Sequence, residues 1–274
     1  MLQRGPLGEM MVLREGRRTM PIAYVHQLPA TFEGRARMMV ANALAAAAAA
    51  HAAGAHLHDI RQGLRSFSTS FYQAPGRLNL YDLNGVKVLI DYAHNAAGLE
   101  TVGDFVERMT HVAPGSPAGV TPWSANVRVA VIATPGDRRD EDQRDLGRVA
   151  AKYFDEVFIR EDHQLRGRKR GETAAHVMEG LEEGMRSGDS RVGNAEIILD
   201  EMDATRKALD RSRPGDVVVL CADYASEVWK ELERRRSLAQ PGLVPSIRGN
   251  GQASTAGGDP DVFEFESSGD AERA

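Results

Sequence analysis

The sequence predicts an α/β protein whose larger part, residues 72–240, is a mostly parallel sheet flanked by helices. Three observations carry this. Apolar β-rich runs alternate with helical patterns from residue 86 to residue 236, which is the rhythm of βαβ units. The run Val217-Val218-Val219-Leu220-Cys221 is apolar throughout, as a strand covered by helices on both faces requires. Asn84-Gly85 joins two further runs, a short-range signal for a hairpin.

In chain order, residues 10–14 and 19–23 flank the turn Glu15-Gly16-Arg17 and read as a hairpin, with Pro21 confined to an edge strand. An alanine-dominated helix is predicted over 38–53, ended by Gly54, and a second over 58–66, where Ile60 and Leu64 share one face. This opening has too few strands to close a core of its own, so residues 1–71 are expected to be the partial end of another α/β domain. After a loop over 66–76, strands are predicted at 78–83, 86–90, 127–133, 156–159, 196–199 and 216–221. Helices fall at 97–111, 142–153, 172–186, 202–211 and 226–236. Residues 114–126 read as an irregular insertion, and 241–274, rich in Gly, Ser and acids, as a disordered tail.

Composition excludes several classes. A net charge of -5 gives no electrostatic reason to expect nucleic acid. A single cysteine, Cys221, rules out disulfides or a cysteine zinc site and suits a reducing cytoplasm. Its apolar neighbours make it a small buried hydrophobe. No apolar run reaches the roughly 18 to 20 residues of a membrane helix, so a soluble, cytoplasmic protein with no membrane partner is expected. There is neither a G-x-x-x-x-G-K-[ST] loop nor a G-x-G-x-x-G turn after a strand.

Ligands of open parallel sheets bind beyond the C-terminal strand ends, which directs attention to four strand exits. Asp91-Tyr92-Ala93-His94-Asn95 puts a carboxylate, an imidazole and an amide just before a helix. Asp91 can accept from ribose hydroxyls and His94 can donate to a phosphate or acyl-phosphate oxygen. The alternative is a capped helix start, with Asn95 as N-cap. At residues 134–142 the acids suit a helix N-terminus, whereas Arg138 and Arg139 are unfavourable there unless they meet an anion. The exit after Ile159 carries Arg160, Arg166, Arg168, Lys169 and Arg170, either a phosphate loop or a solvated charge run. Asp223-Tyr224 follows the last strand as structural residues or as lining of the same cleft. A metal site on Asp91 and His94 lacks further ligands, so none is assigned.

Gly34-Arg35-Ala36-Arg37, Asn42-Ala43-Leu44-Ala45, Phe67 to Arg77, Asp91-Tyr92-Ala93-His94-Asn95, Pro135-Gly136-Asp137-Arg138-Arg139-Asp140-Glu141-Asp142 and Arg160-Glu161-Asp162 resemble cyanophycin synthetases. Gly76-Arg77 followed by Asp91-Tyr92-Ala93-His94 is also similar to Mur ligases in general. The resemblance implies a Rossmann-like Mur ligase C-terminal domain over 72–240, preceded by the end of a Mur ligase central domain over 1–71. It implies an enzyme that activates a carboxylate with ATP as an acyl phosphate, which an amine then attacks, with the Mur-like half adding arginine to an aspartate side chain. Carried onto this sequence, Arg77 and Asp91 bind ATP at the nucleotide and its ribose. His94 and Asn95 face the phosphate or reacting carboxylate as catalytic residues, and Arg138 is a further anion contact. They act by positioning and electrostatic stabilisation.

The implied partners are ATP, an aspartate/arginine polymer and the missing N-terminal portion of the synthetase, with a possible homo-oligomer. Mg2+ is expected in the complete enzyme, its ligands lying outside this chain. Two positions depart from the family: Met39 where Asn is usual in a helix near the adenine pocket, and Ala96 where Pro is common after Asn95. Lacking the P-loop and the ATP-grasp domain, the chain alone is not expected to make polymer. A non-catalytic nucleotide-binding or assembly module, or an inactive truncated fragment, are the alternatives.

Overall fold

The structure is a computed structural model that describes residues 1–111, 123 and 125–239; the predicted tail at 241–274 and most of the predicted insertion at 114–126 lie outside the described residues. The chain opens with an antiparallel sheet of β1 (Leu2–Gly5), β2 (Gly8–Glu15) and β3 (Arg18–Tyr24), in that spatial order. Pro21 lies on the edge strand β3, where the register shifts between Met11 and Val12 of β2. Its missing N–H therefore interrupts no inner ladder. Two helices follow, α1 (Arg37–Ala52) and α2 (Leu57–Ser66).

Met11, Ile22, Val25, Leu28, Val40 and Ile60 come together in a buried cluster of this opening segment. The segment thus gathers a small buried cluster of its own. The sequence reading missed β1, whose four residues include one large apolar side chain, and the two helices complete the cover. One face of the helical pair nevertheless stays open: an apolar groove of about 450 Å³ runs between α1 and α2 past Met39, Ala43, Ala46 and Leu64.

Beyond it lies a six-stranded sheet of β4 (Asn79–Leu83), β5 (Val86–Asp91), β6 (Arg128–Ile132), β7 (Glu156–Ile159), β8 (Asn194–Ile197) and β9 (Val217–Cys221). Its spatial order is β4-β5-β9-β6-β7-β8, parallel except for the β4-β5 hairpin. Asn84 (φ 53°) and Gly85 (φ 89°) supply the two left-handed residues that such a turn demands. The last strand to be made, β9, sits at the centre, so the exits of β5 and β9 are neighbours.

Helices α3 (Ala96–Thr110), α4 (Asp140–Tyr153) and α5 (Glu172–Arg186) cover one face, through Leu99, Phe105, Leu146, Ala150, Val177 and Leu181. Helices α6 (Glu201–Arg211) and α7 (Ala225–Ala239) cover the other, through Ala204, Leu209, Val228 and Leu232. Val217, Val219 and Cys221 point into the first core, Val218 and Leu220 into the second. That is the period of two expected of a strand buried on both sides, each large side chain contributing about 1.5–3 kcal/mol. Cys221 is buried as expected, and burial drives its thiol pKa far up, away from nucleophile chemistry.

Helices α4 and α5 meet backbone to backbone. A Cβ on Gly147 would stand 2.0 Å from the Val177 carbonyl oxygen, and one on Gly180 1.9 Å from that of Arg144. Only hydrogen fits at either position. The main displacement from the predicted elements is β8, found at Asn194–Ile197 rather than 196–199. It is a polar edge strand, and the more apolar Ile198 and Leu199 pack on the cores just after it.

Candidate functional site

The exits of β5, β6, β7 and β9 lie at one end of the sheet, and the β5 and β9 exits are tied together by the Ala222 N–H donating to the Asp91 carbonyl at 2.9 Å. Against them sits the loop that precedes β4. Its organiser is Asn79, fully buried, whose Oδ1 accepts from the Gly76 N–H at 2.7 Å while its Nδ2 donates to the carbonyls of Thr69 and Ala74, each at 2.8 Å. One amide thus ties three points of the loop. The sequence reading passed over Asn79, because between Leu78 and Leu80 it resembles an ordinary strand residue.

Asp91, at the end of β5, accepts the Leu78 N–H on Oδ2 at 2.9 Å. Leu78 stands in the left-handed region at φ 52°, a conformation that a branched residue adopts only when its surroundings impose it. Asp91 is part of that imposition. Burial pushes its carboxyl above the usual aspartate range, opposed by the Leu78 N–H, the Arg77 charge and the N–H groups of Ala93 and Tyr92.

Arg77 is exposed, and its guanidinium lies 4.9 Å from the centre of the Tyr92 ring. A cavity of about 130 Å³ opens beside them, walled by Pro75, Gly76, Arg77 and Tyr92 on one side and by Asp223 at the β9 exit on the other. Arg77 lines this cavity and Asp91 does not, although the Arg77 charge acts on its carboxyl.

His94 and Asn95 also belong to this exit, in different roles. Asn95 is the N-cap of α3, its Oδ1 accepting the Gly98 N–H at 2.8 Å, which is the helix-start alternative. His94 Nδ1 is 2.8 Å from the Tyr92 carbonyl, and because a carbonyl only accepts, Nδ1 carries a proton there and Nε2 is the nitrogen left for a ligand. Its ring packs edge-on to Tyr92, at 4.9 Å between centroids.

The β6 and β7 exits form a charged rim. Arg139 pairs in two-pronged fashion with Asp142, at 2.9 and 2.6 Å. Arg166 pairs with Asp137 at 2.7 Å, and Arg168 with Asp140 and Glu172 at 2.6 and 2.8 Å. Arg168 also donates to the Arg138 carbonyl at 2.9 Å, so the backbone of Arg138 is fixed while its guanidinium makes no ion pair among the described residues. Arg166 and Arg168 of the expected phosphate loop are therefore held by carboxylates. Arg160 is buried, with its guanidinium on the Cys221 carbonyl, Asp223 and Glu201.

Among the described residues no three His, Cys, Asp or Glu side chains converge as a metal cluster. These residues do not hold a divalent ion by themselves, and no step is assigned to one. An anionic ligand with a flat ring suits them better: Arg77 offers a cation at the cavity mouth and Tyr92 an aromatic face. Among the described residues no helix is long and apolar enough to cross a membrane.

Comparison with known proteins identifies relatives of this chain. The family described as "Mur ligase, glutamate ligase domain" matches residues 76–224, which include Gly76, Arg77, Tyr92 and Asp223 of the cavity. The chain is 38% identical over 224 residues to the cyanophycin synthetase of Crocosphaera subtropica, covering 82% of this chain and 23% of that protein. It is 39% identical over 214 residues to that of Trichormus variabilis, covering 78% and 22%. The chain therefore spans less than a quarter of these relatives' length. A solved bifunctional folylpolyglutamate synthase/dihydrofolate synthase of Yersinia pestis, complexed with AMPPNP and Mn ion, shares the fold. It has a TM-score of 0.55 at 21% identity, over 85% of this chain and 45% of that one.

Proposed function

Since this chain belongs to the Mur ligase family through residues 76–224, we propose that it supplies the nucleotide-covering part of an ATP-dependent amide ligase of the cyanophycin synthetase kind. The observation that carries the reading is the cavity at the C-terminal ends of the neighbouring strands β5 and β9, with the Arg77 cation on the Tyr92 ring at its mouth. At about 130 Å³ it is smaller than a whole-ligand pocket, as suits one wall of a site that a second body completes. The curated relatives extend well beyond the length this chain covers, consistent with such a second body.

In this reading ATP phosphorylates a substrate carboxylate, releasing ADP, and an amine attacks the acyl phosphate to give the amide and inorganic phosphate. Arg77 and Tyr92 contact the nucleotide, the imidazolium form of His94 donates its Nε2–H to the phosphoryl oxygens, and Arg138 adds a positive charge on the rim. Asp91 and Asn95 act mainly through the backbone, one fixing the Gly76–Leu78 turn and the other the first turn of α3. Aspartate and arginine are the proposed amino acids, on the strength of the cyanophycin synthetase relatives. Calorimetric titration with ATP tests the reading: binding weakened about ten-fold or more in Arg77→Ala, the worth of one charged contact, is the expected result. Equal affinity in both proteins contradicts it.

A further inference from the structure

Beside the cavity lies a buried charge cluster to which the nucleotide reading above gives no role. Arg160, 3% exposed, stands between two carboxylates: its Nη1 is 2.8 Å from Asp223 Oδ2 and its Nη2 is 3.2 Å from Glu201 Oε2. Both Glu201 oxygens also accept backbone N–H groups, those of Asp223 at 3.1 Å and Tyr224 at 3.0 Å. The β9 exit is thereby clamped, with Asp223 held at its backbone N–H and at Oδ2. One guanidinium faces two carboxylates, which leaves an excess negative charge against the cavity wall.

The exposed share of that charge belongs to Asp223, whose Oδ1 has no hydrogen bond among the described residues while its residue lines the cavity. Arg77 lines the same cavity without an ion pair to Asp223, its guanidinium lying over Tyr92 instead. An acceptor-only group held rigidly, short of one positive charge and open to a small cavity, selects a charged nitrogen donor.

We propose that Asp223, pinned by Arg160 and Glu201, is the subsite for a positively charged nitrogen, ammonium or guanidinium, on the amine substrate of the ligase. This rests on the ligase reading above for its substrate class. His163, whose ring packs on Tyr224 at 5.9 Å between centroids, borders the same exit and makes its outer edge aromatic.

The test titrates the full chain, with and without ATP, against L-arginine, L-lysine and uncharged L-citrulline, reading the backbone amides of Asp223 and Tyr224 by NMR. The two cations are expected to shift those amides and to bind about ten-fold or more tightly than citrulline, the worth of one charged hydrogen bond. Asp223→Asn, checked for retained spectral dispersion, is expected to erase the preference. The comparison of L-arginine with L-lysine separates a guanidinium site from an ammonium site. Citrulline binding as tightly as arginine in the unmutated chain overturns the proposal, as does silence of these amides at tens of millimolar ligand or a preference that survives in Asp223→Asn. A cation preference without any ATP binding sinks the nucleotide reading and leaves this subsite standing. ATP binding without the preference does the reverse.

Discussion

At the β5 exit, the polar side chains are turned onto the protein's own backbone: Asp91 onto Leu78, His94 onto Tyr92 and Asn95 onto Gly98. At the β9 exit, Asp223 and Tyr224, the shortest of the four strand exits singled out in the sequence, rest on a buried ion cluster whose other members come from β7's end and α6. The first region shapes the site through loops and a helix cap. The second presents fixed charge to it. A conspicuous run of polar residues can thus be scaffolding, and a quiet one can carry the electrostatics.

Removing the clamp of the second region should have the largest effect. Arg160→Ala leaves Asp223, Glu201 and the Cys221 carbonyl without their cation, and stability should fall by about 3–5 kcal/mol in chemical denaturation. A loss below about 1 kcal/mol, the level of a surface pair, would break the contrast between the exits. Next comes Asn79→Ala, which strands the Gly76 N–H and two carbonyls in a buried loop and should cost about 2–3 kcal/mol. Asn95→Ala should cost about 1 kcal/mol as a lost N-cap, with Asn95→Asp restoring most of it. If the Asn95→Asp variant keeps its stability yet binds nucleotide more weakly, the amide has a ligand role beyond the cap.

The smallest effect is in pH dependence. Because burial raises the folded-state pKa of Asp91, folding is favoured by its protonated form, and that contribution is lost as pH rises from the unfolded to the folded pKa. The stability of the native chain minus that of Asp91→Asn should therefore fall with rising pH across that window, measured by urea midpoints. A difference that rises instead would mean that the N–H bonds and the Arg77 charge outweigh desolvation.

Much of the sheet was legible because a parallel strand covered on both faces must be apolar throughout. Val217–Cys221 could be little else, and the limits of β7 and α5 coincide with the reading. β1 escaped because Leu2-Gln3-Arg4-Gly5 has no apolar alternation, and β8 slid because the stronger apolar pair lies just past its end. At the site, the cap at Asn95 was readable from local spacing, while Gly76 and Arg77 stood out only through the family resemblance. The Asp223 clamp was not, since Arg160 lies 63 residues away and only the placement of β9 between β5 and β6 unites them.

Nucleotide is expected at the edge formed by the β5 and β9 exits, rather than in the larger apolar groove between α1 and α2. Amide NMR of the full chain titrated with ATP tests this most directly. Shifts centred on Gly76, Arg77 and Tyr92 are the predicted result. Shifts centred on Ala43, Ala46 and Leu64, with Gly76 to Tyr92 unmoved, would contradict it.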